Sequence, residues 1–272
     1  MRKNVFILIA CINSILCFSQ STAELIGRAD ELVNTRNFDK AIAIYSQAIR
    51  LDSTNAEFYY KRGLAYLYAE QDLNALSDYN QASILLPNHP DIYFMKAKTE
   101  AFMGDYYAAI DDYAKVIELD SNYIQAYVQR AYAFLSTKQN MAAFIFFTKA
   151  INKDPKQPAD VYYARGFTYQ ELGSYQQALD DYKKAIELNP DLAGAHQNSG
   201  NCYYALKDYS NALNSYAISE KLQPENSTVY YARGFVYLDT GYKEKACEEW
   251  NKALQMGNTY VQNYIDQNCG RK

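Results

Sequence analysis

Few residues in this chain are equipped for catalysis. The imidazoles are His89 and His196, far apart in sequence, so neither a histidine-centred metal cluster nor a serine or cysteine triad has its parts within reach. No glycine-rich phosphate loop is present. Asp111-Asp112 and Asp180-Asp181 are two adjacent aspartate pairs that could tempt a glycosidase reading. They recur, however, at corresponding points of a longer period, which reads them as structural or solvated charges. No metal, cofactor or small-molecule substrate is implied, and the expectation is a protein that is not an enzyme.

The chain has 272 residues, 49% hydrophobic, with 28 tyrosines and a formal net charge of -4. Arg2 and Lys3 lead into an apolar run from Val5 to Phe18, broken only by Asn13 and Ser14 and closed by Cys17-Phe18-Ser19. That is the charged head, short apolar core and small-x-small exit of a secretory signal, and it is too short for a comfortable membrane span. The expectation is a signal over residues 1–19, cleaved near Ser19. Loss of Arg2 and Lys3 then leaves a charge of about -6, which disfavours nucleic acid or an anionic membrane as partner. Two other readings stay open. One is an ordinary buried helix; the other is a lipoprotein processed at Leu8-Ile9-Ala10-Cys11 and anchored at Cys11, the one route left to a membrane.

The elements that would carry any function come in copies. Equivalent alanines stand at Ala41, Ala75, Ala109, Ala143, Ala178, Ala212 and Ala246, 34 residues apart except for a 35-residue step from Ala143 to Ala178. Four positions after each comes an aromatic: Tyr45, Tyr79, Tyr113, Phe147, Tyr182, Tyr216 and Trp250. Twelve positions before each comes a small residue: Ala29, Gly63, Ala97, Ala131, Gly166, Gly200 and Gly234. The extra residue of the long step is assigned to the loop Lys156-Gln157-Pro158. In the most regular copy, Tyr162 to Pro190, two helical patterns are separated by Gly173-Ser174 and the second is stopped by Pro190. Gly166, Ala178 and Ala185 allow close backbone approach between them. A hairpin of this kind cannot bury its apolar faces alone, so copies must stack.

This register resembles the tetratricopeptide repeat, whose aromatic, small residue, tyrosine, two alanines and proline are matched by Tyr162, Gly166, Tyr169, Ala178, Ala185 and Pro190. The resemblance implies an all-helical, right-handed superhelical α-solenoid. Within 20–260, seven hairpins are expected over 22–55, 56–89, 90–123, 124–158, 159–192, 193–226 and 227–260. First helices would line a concave groove and second helices form the convex back. A capping helix is expected over 261–272, from the amphipathic placing of Val261, Tyr264 and Ile265. Leu32 and Glu100 depart from the usual tyrosine, Val116 and Ser219 from the second alanine, and Leu25 and His196 from the opening aromatic.

The same resemblance puts the fifth and ninth positions of each first helix in the groove. Candidate contacts are Tyr60, Phe94, Tyr163 and Tyr231 at the fifth, and Lys98, Tyr132, Phe167, Asn201 and Phe235 at the ninth. Aromatic walls with polar tips suit an extended, proline-rich or amphipathic helical segment. Alternatively, these rings pack between neighbouring first helices. Lys98 and Asn201 alone do not make the clamp with which some members hold a chaperone's C-terminal carboxylate.

Arg62, Lys96, Arg165 and Arg233 each stand sixteen residues before an acid, respectively Asp78, Asp112, Asp181 and Glu249, and in the sixth copy both are lost as Ser199 and Ser215. This covariation reads as an ion pair between the two helices of those hairpins, worth about 0 to 1 kcal/mol if exposed, although the first and fourth copies keep Arg28 and Arg130 with Ile44 and Phe146 at the acidic position. The fourth copy places Ile145 and Phe146 where the fifth has Asp180 and Asp181, giving either a convex apolar patch or local repacking. Cys247 near the start of the last second helix and Cys269 at the end of the cap are expected to meet as a disulfide, three free thiols being the other possibility. Cys202 reads as a buried hydrophobe. The expected function is a non-catalytic scaffold, exported to the periplasm or outer membrane of a bacterium, that binds a protein or peptide in its groove. Ala246-Cys247-Glu248-Glu249-Trp250 and Asn268-Cys269 resemble the ends of exported repeat proteins of the Bacteroidetes. The alternative is a structural or assembly subunit of a cell-envelope complex acting through its convex face.

Overall fold

The computed structural model describes residues 22–270. The signal and the lipidation reading at Cys11 lie outside the described residues. Two compact units divide between Thr137 and Lys138. The first holds α1 (22–34), α2 (Phe38–Leu51), α3 (Ala56–Tyr68), α4 (Asp72–Leu85), α5 (Pro90–Phe102), α6 (Tyr106–Leu119) and α7 (Ile124–Ser136). The second holds α8 (Asn140–Lys153), α9 (Ala159–Glu171), α10 (Tyr175–Leu188), α11 (Ala193–Ala205), α12 (Tyr209–Leu222), α13 (Ser227–Asp239), α14 (Lys243–Gln255), a 3-10 turn at Thr259–Val261 and α15 (Gln262–Asn268). There is no strand among the described residues, and the fold class is an all-helical solenoid of hairpins.

Local chemistry sets the helix ends. Asn55, Asp105, Asp208 and Asn226 cap α3, α6, α12 and α13 by accepting a backbone N–H from the first turn, which satisfies one of the donors a helix start leaves over. After the first helix of each copy one residue takes a left-handed backbone: Arg36, Glu70, Gly104, Lys138, Gly173, Lys207 and Gly241. Glycine does so freely, whereas a side chain there costs about 1–2 kcal/mol. The long step is absorbed where expected, since the link from α8 to α9 runs over 154–158 while that from α10 to α11 takes 189–192.

Inside the hairpins the small residue lies on the aromatic. Tyr79, Tyr182, Tyr216 and Trp250 are fully buried, and a Cβ placed on Gly63, Gly166, Gly200 or Gly234 would fall 2.2–2.8 Å from their ring atoms. The ion pairs form as the covariation implies. Arg165 donates from Nε and Nη2 to the two oxygens of Asp181 at 2.7 Å each, and Arg62 grips Asp78 the same way. Lys96 lies 2.9 Å from Asp112 and Arg233 2.8 Å from Glu249. The condition of exposure on the value given above is not met in two of these pairs. Asp78 and Asp181 are only 4% and 5% exposed, and removal of one partner from a buried pair costs about 3–5 kcal/mol because it strands the other charge. Glu100, at a usual tyrosine position, is buried beside Asp112 and shares Lys96 with it. Burial first, and then the Asp112 charge, push its carboxyl up to about 8.

Candidate functional site

The fifth-position rings share one geometry. Tyr60 stands 6.0 Å from Tyr79, Phe94 5.7 Å from Tyr113 and Tyr163 5.8 Å from Tyr182, centroid to centroid. Each therefore leans on the buried aromatic of its own hairpin and is half-buried. Burial raises the pKa of the Tyr60 and Tyr163 hydroxyls, keeping both in the neutral, hydrogen-bonding form. Other residues steady some of them: Tyr123, in the loop that closes the same copy, packs 4.9 Å from Phe94, and Asn198 Nδ2 of the next hairpin donates to Tyr163 Oη at 3.1 Å. The rings thus do both things the spacing allowed, packing on one side and remaining accessible on the other.

Two ninth positions meet the tip of the buried aromatic of their own hairpin, whereas the Tyr182 hydroxyl donates to Gln170 instead. Tyr45 donates to Asp30, and Tyr216 donates to Asn201 Oδ1 at 2.8 Å. Leu64 offers no acceptor, and the buried Tyr79 hydroxyl has no hydrogen-bond partner. Lys98 is exposed, Tyr132 and Phe167 are half-buried, and Asn201 also donates to Asn198 at 3.4 Å. Among the candidates, Asn201 is therefore committed largely to structure.

Tyr231 and Phe235 form an edge-to-face pair 5.0 Å apart that belongs to the terminal cluster. Trp250 Nε1 donates to the Tyr231 carbonyl at 3.2 Å, and Tyr264 of α15 packs on both rings. Sequence reasoning passed over Asn198 and Tyr123 because each lies outside the fifth and ninth positions. Asn198 acts from the adjoining hairpin and Tyr123 from the loop that closes its own copy.

The remaining candidates separate. Asp111 and Asp180 are exposed while Asp112 and Asp181 are paired with cations, so neither adjacent pair converges on a substrate. His89 Nδ1 faces Asp91 at 3.8 Å and His196 Nε2 lies 3.1 Å from the Pro190 carbonyl, both beside helix starts. Among the described residues no group of three or more His, Cys, Asp or Glu is placed to hold a metal, and no helix is long and apolar enough to cross a membrane. Ile145 is 42% exposed. Phe146 is half-buried, with Lys149 Nζ 5.0 Å above its ring. Cys247 and Cys269 are joined, their Cα atoms 5.5 Å apart, and Cys202 is buried with a free thiol.

Family models described as "Tetratricopeptide repeat" match residues 159–192, 90–123 and 227–258, and one described as "TPR repeat" matches 29–68 and 200–241. Together they cover more than half of the chain. It belongs to the tetratricopeptide repeat family. The human mitochondrial import receptor subunit TOM70 is 26% identical over 250 residues, 88% of this chain and 40% of that protein. Human tetratricopeptide repeat protein 6 is 28% identical over 199 residues, 72% of this chain and 38% of its own. The chain thus spans about two-fifths of the length of the curated relatives it matches. Among solved structures, the C-terminal part of a TPR repeat-containing protein from Cytophaga hutchinsonii aligns with a TM-score of 0.70 at 18% identity, covering 86% of this chain and 96% of that one. YrrB, described as a TPR protein with an unusual peptide-binding site, aligns with a TM-score of 0.62 at 22% identity, covering 70% and 97%. At such identities these structures share the fold of this tetratricopeptide repeat protein and no more.

Proposed function

We propose that this tetratricopeptide repeat protein is a non-catalytic scaffold that binds a protein or peptide segment along the first-helix face of its repeats. The observation that carries the reading is the recurrent placing of Tyr60, Phe94 and Tyr163, each 5.7–6.0 Å from the buried aromatic of its hairpin. Rings held in this way lose little freedom on binding. Their accessible faces suit the apolar side chains of a bound segment. Pull-down from the native host with mass spectrometry tests it: Tyr163→Ala with Phe167→Ala should abolish capture of the partner, and retention at wild-type level rejects the groove.

A second reading has Ile145 as its support, an exposed apolar residue on the second helix of the fourth copy. A subunit working through that face would lose its partner with Ile145→Ser and Phe146→Ser while keeping it with the groove variant. Export to the periplasm or outer membrane, by cleavage near Ser19 or lipidation at Cys11, is part of the same proposal. The Cys247–Cys269 bond supports it, because such bonds persist in oxidising compartments. Three free thiols on unreduced mature protein would count against export, and the mass of the mature N-terminus separates cleavage from lipidation.

A further inference from the structure

Tyr264 occupies the last hairpin as a bound side chain would. Its ring lies 4.8 Å from Phe235, 5.7 Å from Trp250 and 6.1 Å from Tyr231, so the cap covers part of the two groove positions that α13 supplies. Little else secures it. α15 has seven residues, none of them buried, and a helix that short does not persist in water by itself. Its noncovalent hold includes Val261 in the preceding turn, Tyr264 and Ile265 against the cluster around Trp250, and a side-chain hydrogen bond between Tyr264 and Tyr231. Gly257, with a left-handed backbone, precedes the whole segment and offers a point about which it can swing.

The remaining tie is covalent, from Cys247 on α14 to Cys269 just past α15. Both cysteines are half-buried and line an open cleft with Tyr242, Asn251 and Asn268, so a small thiol can reach the bond. We propose that α15 is a displaceable lid latched by Cys247–Cys269, and that its reduction by a dithiol opens the Tyr231–Phe235–Trp250 cradle to an aromatic side chain of the partner segment. This deepens the groove reading and rests on it for the partner. A thiolate of the dithiol attacks one sulfur, forming a mixed disulfide and releasing the other sulfur as a thiolate. The second thiol of the reductant then closes its own disulfide, and two electrons and two protons end on Cys247 and Cys269.

Trp250 is the chain's single tryptophan and is fully buried, so acrylamide quenching of the full chain reads the lid directly. The oxidised protein should be poorly quenched. Dithiothreitol should raise the quenching constant and shift emission to the red, with far-UV circular dichroism otherwise retained. Cys247→Ser with Cys269→Ser should behave as reduced protein without any reductant. Quenching that stays low in both reduced protein and variant overturns the lid, as does a loss of helix extending beyond the cap, which would make the bond a staple of the fold. Capture that depends on Tyr163 and Phe167 but is indifferent to reduction overturns the lid and leaves the groove. Quenching that rises on reduction, with capture unaffected by Tyr163→Ala and Phe167→Ala, supports the opening of the lid and rejects the groove as its target.

Discussion

Replacing Gly234 by alanine tests the packing rule on which every hairpin depends. The new Cβ would lie 2.2 Å from Trp250 Nε1, 2.5 Å from Cδ1 and 2.7 Å from Cε2. Ordinary contact is at about 3.5–4.0 Å, so the indole has to move by about 1 Å or more. It has little room, with Phe235 5.3 Å and Tyr264 5.7 Å from its centroid and its Nε1 donating to the Tyr231 carbonyl. Overpacking costs about 1–3 kcal/mol and the strained hydrogen bond about 1 more, offset by about 1 kcal/mol from the better helix propensity of alanine. The net expectation is a loss of about 2 kcal/mol. Gly27, in α1 with nothing within 4 Å of its Cβ position, is the control, and Gly27→Ala should gain up to about 1 kcal/mol. Urea denaturation followed by far-UV circular dichroism measures both. Because Ala97 packs in one cluster with Tyr113 in another copy, adding Trp250→Tyr should recover part of the loss. If Gly234→Ala stabilises as Gly27→Ala does, close approach is not what glycine supplies there and the reasoning fails.

The same denaturation assay checks three further expectations. Arg165→Ala should cost about 3–5 kcal/mol by stranding Asp181, and Arg165→Ser with Asp181→Ser, the pairing already present at Ser199 and Ser215, should cost less than the single change. Glu100 has its carboxyl raised from 4.5 to about 8, so the stability it contributes is complete below pH 4.5 and lost as pH climbs through 8; Glu100→Gln should flatten that slope, and an unchanged pH profile would rule the residue out as its source. Tyr79→Phe should be neutral or stabilising by up to about 1 kcal/mol, since its hydroxyl has no partner, while Tyr216→Phe should cost about 1 kcal/mol through the bond to Asn201; equal effects would contradict the assignment.

The repeat, its long step at 154–158 and the ion pairs are legible in sequence because each rests on residues inside one copy. Gly166 and Tyr182, or Arg165 and Asp181, fall at fixed offsets whatever lies beside them. Burial of the pairs was not legible: the acid position alternates along the chain between Asp, Glu, Ile, Phe and Ser, and a mixed column of that kind reads as surface. The setting of the first-helix rings was half legible. Fifth and ninth positions are where the rings stand, but how much of Tyr163, Tyr231 or Phe235 stays accessible depends on Asn198 and Tyr264, which come from neighbouring elements and follow no period. The division at Thr137 and Lys138 left no sign in the sequence beyond the oddness of the fourth copy.

Arg165 and Asp181 lie in one copy of the repeat, as do Arg62 and Asp78, and this constrains how such a gene can be shuffled. Duplicating or deleting a whole copy carries both halves of such a pair together, and disturbs only the contacts that cross copies, such as Arg233 to Glu220 and Lys61 to Asp30. A crossover inside the turn at Gly173 is different: it could join an arginine-bearing first helix to the Ser215 type of second helix, or Ser199 to an Asp181 type, burying an ion with nothing opposite it. Viable recombination breakpoints should therefore fall between copies, at loops such as 189–192, rather than at the tips of hairpins. A library of chimaeras cut at both places would show the difference as soluble yield.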